Sequence, residues 1–353
     1  MTNTAKKCLW VLAAIAVVAT MAVAAQQKKK RETPVTAISY HMNTMVEYRL
    51  YGKQAQQAYQ AIEAELQGLE DAFSMHLPES EVSRLNAAAG GAPVEVSAQV
   101  MQLLQACVRY GEESDGAFDV TVAPLVEEWG IQTDHAHVPS QDRIDALLSL
   151  VDYRSLRLKE SDGVYTAQLP HAGQAVDLGG IVKGYACTIA REIAENYKVT
   201  GGYVSIGGNI MTIGSTPQGR PFRFGLRDPR GSANDFIGVF EIPGETIATS
   251  GDYERYFEQD GVRYHHILNP ATGYPADGGL LSVSVISPDG AYADYMSTRL
   301  FIMGREYALK NLNNFNCGLV LIDQQRRVYV SDNMKERFTP DDPTGTYRFE
   351  ETA

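Results

Sequence analysis

Residues 177–184 read Asp-Leu-Gly-Gly-Ile-Val-Lys-Gly and carry the most informative local pattern of the chain. Apolar residues before the glycines predict a strand over Ala175–Leu178, and apolar spacing after them predicts a helix through Ile193. Such a turn exposes backbone N–H groups at the positive end of a helix dipole, where phosphate can bind, and Lys183 could add charge to the same ligand. The stretch equally fits a structural turn in which Asp177 caps the helix.

Upstream of this stretch the pattern is mainly helical. A strand is predicted over Met45–Tyr51, followed by a long amphipathic helix over Lys53–Met75. Ser97 is placed as the N-cap of a second helix that ends near Ser114, and a short third helix is predicted over Asp142–Leu150.

Short strands dominate the remainder. The predicted strands are Leu156–Leu158, Tyr165–Leu169, Tyr203–Ile206, Ile210–Ile213, Phe222–Leu226, Ile237–Ile242, Leu280–Ile286, Leu319–Ile322 and Val328–Val330. Gln259-Asp260-Gly261 predicts a hairpin turn, and residues 291–312 are predicted as helical. Strands with irregularly interspersed helices indicate an α+β fold with mainly antiparallel sheets. We predict one compound domain over residues 38–340, preceded by a linker at 26–37 and followed by a tail at 341–353.

The composition is that of a globular protein, but the charge is unevenly distributed. Of 353 residues, 44% are hydrophobic and 21% charged, which argues against a disordered, collagenous or disulfide-scaffold protein. Residues 1–31 contain six Lys and Arg and no acid, so the rest of the chain carries 25 basic against 43 acidic residues. An acidic body repels phosphate backbones, and we expect no nucleic-acid partner. It can bind an anionic ligand if a metal ion supplies positive charge.

The first 25 residues form a targeting or anchoring segment by their pattern. Leu9–Ala25 is an uncharged apolar run of 17 residues that follows two lysines and ends in Ala-Val-Ala at residues 22–24. This pattern predicts a secretory signal peptide. The run also falls within the tolerated length of a spanning helix, so a retained membrane anchor is the alternative. No cysteine follows the run closely, and the three later cysteines are predicted as buried free thiols.

Several common catalytic and nucleotide-binding motifs are absent from the sequence. It contains no Gly-x-Gly-x-x-Gly after a strand, no Walker-type Gly-Lys-Ser/Thr, no His-Glu-x-x-His and no Gly-x-Ser-x-Gly. Dinucleotide-binding, NTPase, zinc-peptidase and serine-hydrolase interpretations are therefore disfavoured.

Two further segments carry groups capable of chemistry. Asp294 and Thr298 lie four positions apart on a predicted helix, so a carboxylate and a hydroxyl share one face. Both are oxygen donors of the kind that Mg²⁺ takes when it also binds phosphate. His265 and His266 are adjacent on a predicted strand and point to opposite faces, and either one could deprotonate a hydroxyl. Each segment alone also fits a structural role, as a helix-start Asp or a surface histidine.

Taken together and in this order, these segments resemble the FAD:protein FMN transferase (ApbE) family. The resemblance runs from about Met42 to Gly304 and includes residues 73–74, 80–86 and 116–121. It implies a T-fold-like α+β enzyme that is exported and Mg²⁺-dependent. Such enzymes split FAD, attach FMN through a phosphoester to a Thr or Ser hydroxyl of an acceptor protein, and release AMP. The acceptors in that family are flavoprotein subunits of membrane electron-transfer complexes. The implied location is the periplasm, either free or anchored to the inner membrane by the N-terminal segment.

The resemblance also implies roles for individual residues. The implied metal ligands are Asp294, Thr298 and the backbone carbonyl of Gly180. His266 is the implied base, with Asp294 as the alternative proton acceptor. The implied contacts to FAD are Met42, His76, Ala117, Phe118, Asp119, Asp177, Lys183 and Ile267.

The sequence departs from the family pattern at three positions. Asn43 replaces the Gly of the Met-Gly-Thr segment, and Asn269 replaces an acid before Pro270. His76 stands where many members have a Tyr that stacks on the cofactor, and imidazole offers less stacking area, so FAD retention is expected to be weaker. The alternative activity is therefore a Mg²⁺-dependent FAD pyrophosphatase that yields FMN and AMP. A flavin carrier without catalysis is a further alternative, which the Asp294 and Thr298 pair together with His266 disfavours. An unrelated solute-binding protein is disfavoured by the combination of this metal-binding face with the helix that the glycines open.

Overall fold

The computed structural model describes residues 33–131 and 133–350, where the chain forms seven α-helices and 17 β-strands. The predicted targeting segment and most of the predicted linker lie outside the described residues. Within the described ranges, no helix combines the length and the hydrophobicity needed to cross a bilayer.

The helices and strands have the following bounds. The helices are α1 Ala55–Phe73, α2 Glu81–Ala87, α3 Ala98–Glu113, α4 Ala123–Trp129, α5 Gln141–Leu148, α6 Val182–Asn196 and α7 Gly290–Lys310. The first nine strands are β1 Val35–His41, β2 Thr44–Tyr51, β3 Val94–Val96, β4 Arg157–Ser161, β5 Val164–Gln168, β6 Gly201–Ile206, β7 Asn209–Gly214, β8 Phe222–Arg227 and β9 Phe236–Ile242. The others are β10 Thr246–Gly251, β11 Tyr256–Gln259, β12 Val262–His265, β13 Leu280–Ser287, β14 Gly318–Asp323, β15 Arg327–Val330, β16 Phe338–Pro340 and β17 Arg348–Phe349.

Nine of these strands form a central sheet in the order β1-β2-β6-β7-β10-β13-β14-β15-β17. Its neighbouring strands are antiparallel except for β15 and β17. Helices α1, α6 and α7 pack on one face, and the three-stranded sheet β16-β9-β8 packs against the other. Strand β13 lies between these layers and is buried along all eight residues, because both of its faces are covered. This architecture is the predicted α+β fold with mainly antiparallel sheets.

Local sequence patterns predicted several elements correctly. The Ser97 hydroxyl accepts a hydrogen bond from Val100 N–H at 3.2 Å and caps α3. Asp260 and Gly261 both have positive φ and form the two-residue turn between β11 and β12. The three described cysteines are free and buried, which confirms the expectation of buried thiols.

One predicted strand is wrong: Ala175–Leu178 is not part of any strand in the described chain. Its backbone bonds instead to the Asn86 side chain, which accepts from Val176 N–H at 2.7 Å and donates to the Val176 carbonyl at 3.0 Å. Asp177 N–H donates to the Val120 carbonyl at 2.8 Å. The apolar pattern indicated burial correctly, but burial does not identify the hydrogen-bond partner.

The edges of the fold also differ from the sequence-based expectation. Strand β1 begins at Val35, so residues 35–37, predicted as the end of a linker, belong to the sheet. Strand β17 lies in the predicted C-terminal tail and pairs with β15. Gly304 has a φ of 84° and interrupts the helical conformation of α7, which the sequence predicted as continuous.

A close crossing of α6 and α7 brings the candidate site together. A Cβ atom at Gly184 would lie 2.1 Å from the Gly290 carbonyl oxygen, and one at Gly290 would lie 2.3 Å from the Gly184 carbonyl oxygen. Only glycine permits backbones to approach so closely. The crossing therefore places Asp294, one turn into α7, against the first turn of α6.

Candidate active site

The carboxylate of Asp294 lies against the start of α6. Its Oδ2 accepts a hydrogen bond from Gly184 N–H at 2.9 Å, and its Oδ1 lies 3.7 Å from Lys183 Nζ. The Lys183 ammonium also donates to the Gly179 carbonyl at 3.1 Å. Asp294 is only 4% exposed, and a charge this deeply buried requires a partner. One carboxylate oxygen therefore bonds to the backbone, and the other faces the Lys183 ammonium.

Thr298 lies one turn further along α7, beneath the glycine turn. A side chain at Gly180 would begin 3.8 Å from Thr298 Oγ1 and 3.2 Å from the Phe118 ring. Phe118 in turn packs edge-on against Tyr295, which is buried on the same helix. The Gly180 backbone therefore lies near both the Thr298 hydroxyl and the Phe118 ring, and the Phe118 ring is the closer of the two. The predicted metal ligands Asp294, Thr298 and Gly180 therefore lie in one neighbourhood.

The donor set fits a hard divalent cation. It offers one carboxylate, one hydroxyl and the carbonyls of the glycine turn, which are oxygen donors of the kind Mg²⁺ prefers. The Lys183 ammonium already contacts both the Asp294 carboxylate and the Gly179 carbonyl. These oxygen atoms therefore already interact with one positively charged group. In the part of the chain that the structure describes, no three His, Cys, Asp or Glu side chains converge on a metal position. Identification of Mg²⁺ here stays a prediction.

The two adjacent histidines have different environments. His265 is buried, its Nε2 lies 3.0 Å from the Ala276 carbonyl, and its Nδ1 accepts from Ile267 N–H at 3.3 Å. Both nitrogens of His265 are thus used by the fold. His266 Nδ1 lies 3.3 Å from the Arg255 carbonyl, which can only accept, so the proton sits on Nδ1 and the Nε2 lone pair remains available. Burial, together with the charges of Arg255 and Lys183, lowers the pKa of His266 to about 3, and the ring is neutral at pH 7.

The loop that follows these histidines is held by a tryptophan. Trp129 Nε1–H donates to the Gly273 carbonyl at 2.8 Å, and Gly273 has a φ of 72°. A side chain at Gly273 would begin 2.6 Å from Ile144, so α5 packs directly against this turn. The loop is therefore anchored to α4 through Trp129 and to α5 through Ile144.

Asp119, a predicted FAD contact, is turned into the protein. Its Oδ1 accepts from Thr121 N–H at 2.8 Å and from the Thr121 hydroxyl at 2.6 Å, and its Oδ2 accepts from Tyr153 N–H at 2.9 Å. Burial raises the pKa of Asp119, although these bonds oppose the shift. The carboxylate acts as a structural cap, while the ring of Phe118, the residue before it, lies beside Gly180.

Asp177 also bonds locally, but it does not cap α6. Its Oδ1 accepts from Gly179 N–H at 2.7 Å and so fixes the glycine turn. The N-cap position of α6 is occupied by Ile181, which makes no side-chain capping bond. The alternative interpretation of Asp177 as a helix cap is therefore wrong, and the side chain instead shapes the turn from the outside.

The remaining predicted FAD contacts lie on three separate elements. Met42 and Asn43 both have positive φ, 51° and 54°, and form the turn between β1 and β2. Asn tolerates this conformation, which explains how Asn43 can replace a glycine. His76 is exposed just after the end of α1, and Ile267 is 7% exposed beside His266.

Sequence reasoning missed three residues that shape the site. Gly184 and Gly290 set the helix crossing, and the close pairing of glycines on two helices cannot be recognised without their relative placement. Ser250, at the end of β10, lies 3.3 Å from the Thr298 hydroxyl. The sequence did not point to Ser250, because it gives no information on which strand lies under α7.

Comparisons with known proteins agree on one family. The family model of the ApbE family matches residues 42–321. The FAD:protein FMN transferase of Treponema pallidum is 33% identical over 84% of this chain and 86% of its own length. That of Klebsiella pneumoniae is 36% identical over 77% and 84%. The crystal structure of the ApbE protein from Thermotoga maritima superposes with a TM-score of 0.80 at 33% identity, covering 86% of this chain and 99% of that one. The flavin transferase ApbE from Vibrio cholerae superposes with a TM-score of 0.76 at 27% identity, covering 86% and 99%.

Proposed function

This chain belongs to the ApbE family, and we propose that it transfers FMN from FAD to a Thr or Ser hydroxyl of an acceptor protein and releases AMP. The observation that carries this proposal is the position of the Asp294 carboxylate, buried against the first turn of α6 and facing Lys183 at 3.7 Å. Carboxylate, lysine and an open glycine turn suit a pyrophosphate, whose two negative charges must be neutralised before a hydroxyl can attack.

The proposed cation site consists of Asp294, Thr298 and the Gly180 carbonyl. When bound there, Mg²⁺ supplies charge neutralisation and polarises the flavin-side phosphorus of the anhydride. Lys183 complements this role, because its ammonium reaches both the Asp294 carboxylate and the glycine turn. On this proposal Lys183 balances the Asp294 charge before FAD binds and moves to a phosphate oxygen when FAD binds.

The transfer step requires a proton acceptor but no protein nucleophile. The acceptor hydroxyl oxygen forms a bond to the flavin-side phosphorus, the anhydride bond breaks, and AMP leaves with the electron pair. The hydroxyl proton passes to His266 Nε2 or to Asp294. Burial lowers the pKa of His266 to about 3, so on its own the ring is a weak proton acceptor. An adjacent pyrophosphate would raise this pKa, since a nearby negative charge favours the protonated ring.

The cellular setting is part of the same proposal. The basic and then apolar pattern of residues 1–25 supports export, with the domain in the periplasm either released or anchored to the inner membrane. The acceptors would then be flavoprotein subunits of membrane electron-transfer complexes. Fractionation of cells that produce the full chain would test this, and recovery in the cytosol would contradict it.

Mass spectrometry of a co-expressed acceptor tests the activity directly. We expect FMN attached to one Thr or Ser of the acceptor when the intact enzyme is present. The matched control is an enzyme with Asp294→Asn, which keeps an acceptor for Gly184 N–H but removes the charge. Equal flavinylation by both enzymes would contradict the proposed role of the site.

A FAD pyrophosphatase is the second candidate, and the environment of His76 favours it. The imidazole is exposed at the end of α1 and replaces a larger stacking ring, so it covers less of a bound flavin. Incubation of FAD and Mg²⁺ without an acceptor separates the two activities. Accumulation of FMN and AMP at the rate of the acceptor-dependent reaction would identify a hydrolase.

A further inference from the structure

A short chain of hydroxyl groups lies beneath the proposed cation site. Thr298 Oγ1 is 3.3 Å from Ser250 Oγ, and Ser250 Oγ is 2.9 Å from Ser297 Oγ. Ser297 Oγ donates to the Asp294 carbonyl at 2.9 Å. Ser297 is fully buried and Ser250 is 9% exposed, so bulk water does not readily replace these partners.

The direction of each hydrogen bond follows from counting protons. A hydroxyl carries one proton, and the Asp294 carbonyl can only accept, so the Ser297 proton is used there. Ser250 must then donate its own proton to Ser297. Ser250 has no second proton, so in its contact with Thr298 it accepts, and Thr298 donates. The chain therefore runs in one direction, from Thr298 through Ser250 and Ser297 to the Asp294 backbone.

This direction determines how Thr298 presents its oxygen. The Thr298 proton points toward the buried Ser250, and the oxygen that carries it lies near Gly180, where a Cβ atom would be 3.8 Å from Thr298 Oγ1. With its proton held on the buried side, the hydroxyl oxygen offers its lone pairs to a ligand. A hydroxyl free to rotate would instead present its proton to a cation for part of the time, which costs binding energy.

We propose that Ser250 is a positioning residue that fixes the Thr298 hydroxyl as an oxygen ligand and thereby sets the affinity of the site for a divalent cation. This inference rests on the proposed function, because it takes the Asp294–Thr298 face as the cation site. Groups that orient a metal ligand typically change metal affinity by about 10-fold to 100-fold when they are removed.

Mn²⁺ binding to the FAD-free protein, followed by electron paramagnetic resonance, tests the proposal without using catalysis. Mn²⁺ accepts the same oxygen ligands as Mg²⁺. We expect Ser250→Ala to weaken Mn²⁺ binding by about 10-fold, and Ser250→Thr to restore most of the affinity, because it returns the hydroxyl. Ser297→Ala is expected to weaken binding as well, since the Ser250 proton would then turn toward a Thr298 lone pair.

Thr249→Ala is the matched control. Thr249 precedes Ser250 on β10, and its hydroxyl pairs with Ser284 at 2.8 Å instead of with Thr298. Its loss removes a comparable hydrogen bond between neighbouring strands, so we expect Mn²⁺ affinity to stay within about twofold of the parent value. A purely structural role for Ser250 predicts that Thr249→Ala and Ser250→Ala lower thermal stability alike and leave Mn²⁺ affinity unchanged. That result would overturn the proposal.

Two outcomes separate this inference from the proposed function. If Asp294→Asn binds Mn²⁺ as the parent does, the cation site itself is misplaced. If Asp294→Asn loses binding while Ser250→Ala and Ser297→Ala keep it, the site stands and the positioning role is wrong. Should Ser250→Ala lack a cooperative thermal transition, Ser297→Ala decides the question by the same criterion.

Discussion

Asp119 and Asp294 are both predicted site residues, and both are almost inaccessible to solvent at 8% and 4% exposure, but the fold uses them differently. The oxygens of Asp119 accept three hydrogen bonds from Thr121 and Tyr153. Those of Asp294 accept one backbone hydrogen bond, from Gly184, and face the Lys183 ammonium. The first carboxylate is saturated by uncharged donors at fixed positions, whereas the second keeps one oxygen available to a cation.

The difference shows that burial alone does not identify a functional carboxylate. A buried acid whose lone pairs are filled by the backbone stabilises a turn, and a ligand gains nothing from it. A buried carboxylate with an oxygen that accepts no hydrogen bond is destabilising unless a positive charge lies beside it. A lysine, a metal ion or a positively charged group of a substrate can supply that charge. Matched carboxylate-to-amide substitutions at the two positions should therefore have opposite consequences.

Asp294→Asn gives the largest expected effect. The amide oxygen can still accept from Gly184 N–H, so we expect the fold to be preserved, but the charge that we propose holds a cation is lost. We expect the rate of FMN transfer to fall by at least about 1,000-fold, because a bound metal contributes several kcal/mol to transition-state stabilisation. The measurement is single-turnover flavinylation, with thermal unfolding as the control for folding. If the variant kept a tenth of the parent rate, the proposed functional difference between Asp294 and Asp119 would be contradicted.

Asp119→Asn should act on stability and spare the chemistry. In the Asn side chain, an NH₂ group replaces one of the two carboxylate oxygens that accept hydrogen bonds from Thr121 and Tyr153. At least one hydrogen bond is therefore lost, because two donors then face each other. We expect the free energy of unfolding in urea to fall by about 1–3 kcal/mol. The transfer rate per folded molecule should change little. A large loss of rate at unchanged stability would place Asp119 in direct contact with the substrate instead.

Lys183→Met sharpens the comparison by removing the cation that faces Asp294. Without the competing ammonium, Mn²⁺ should bind the FAD-free protein a few-fold more tightly, while the KM for FAD rises by about 10-fold through loss of a charged phosphate contact. Lys159→Met, on the exposed strand β4, is the control and should change neither value. Weaker Mn²⁺ binding by Lys183→Met would show that the lysine supports the cation site instead of competing for it.

The smallest expected effect is the contribution of Asp119 to the pH dependence of the free energy of unfolding. Burial raises its folded-state pKa above the ordinary value, so the folded protein retains this proton to a higher pH than the unfolded chain does. The stabilising contribution of Asp119 is thus fully present below the ordinary pKa and declines as pH rises through the raised one. In urea unfolding, the stability difference between the parent and Asp119→Asn should narrow from pH 4 toward pH 7. A difference that widens over this range would contradict the direction of the shift.

Much of the fold could be predicted from the sequence because it depends on near neighbours. The apolar stripe of α1, the Ser97 cap of α3 and the Asp260-Gly261 turn are all formed within a few residues of chain. Strand β10 was not predicted, and Ala175–Leu178 was wrongly predicted as a strand. Whether an apolar segment joins a sheet depends on which edge lies beside it, and that edge comes from elsewhere in the chain.

The candidate site was predicted as a set of residues but not as an arrangement. The order of the motifs brought Asp294, Thr298, Gly180, Lys183 and His266 forward, and the structure places the first four around the start of α6. It also distinguishes His266 from His265, whose two ring nitrogens are both occupied by the fold. Ser250 could not have been predicted from the sequence. The observation that suggests its role is the contact of its hydroxyl with that of Thr298, which lies 48 positions later in the chain.

The sequence by itself determined most of the helices, many of the strands and which polar groups are available, since these follow from spacing and from caps a few residues away. Only the tertiary structure decided which of those polar groups are left open. Asp294 meets Gly184 across 110 positions, and Asp119 meets Tyr153 across 34. Hydrogen-bond partners at such separations are fixed by packing. They determine whether a buried carboxylate has all its oxygens hydrogen-bonded within the fold or keeps one that can bind a ligand.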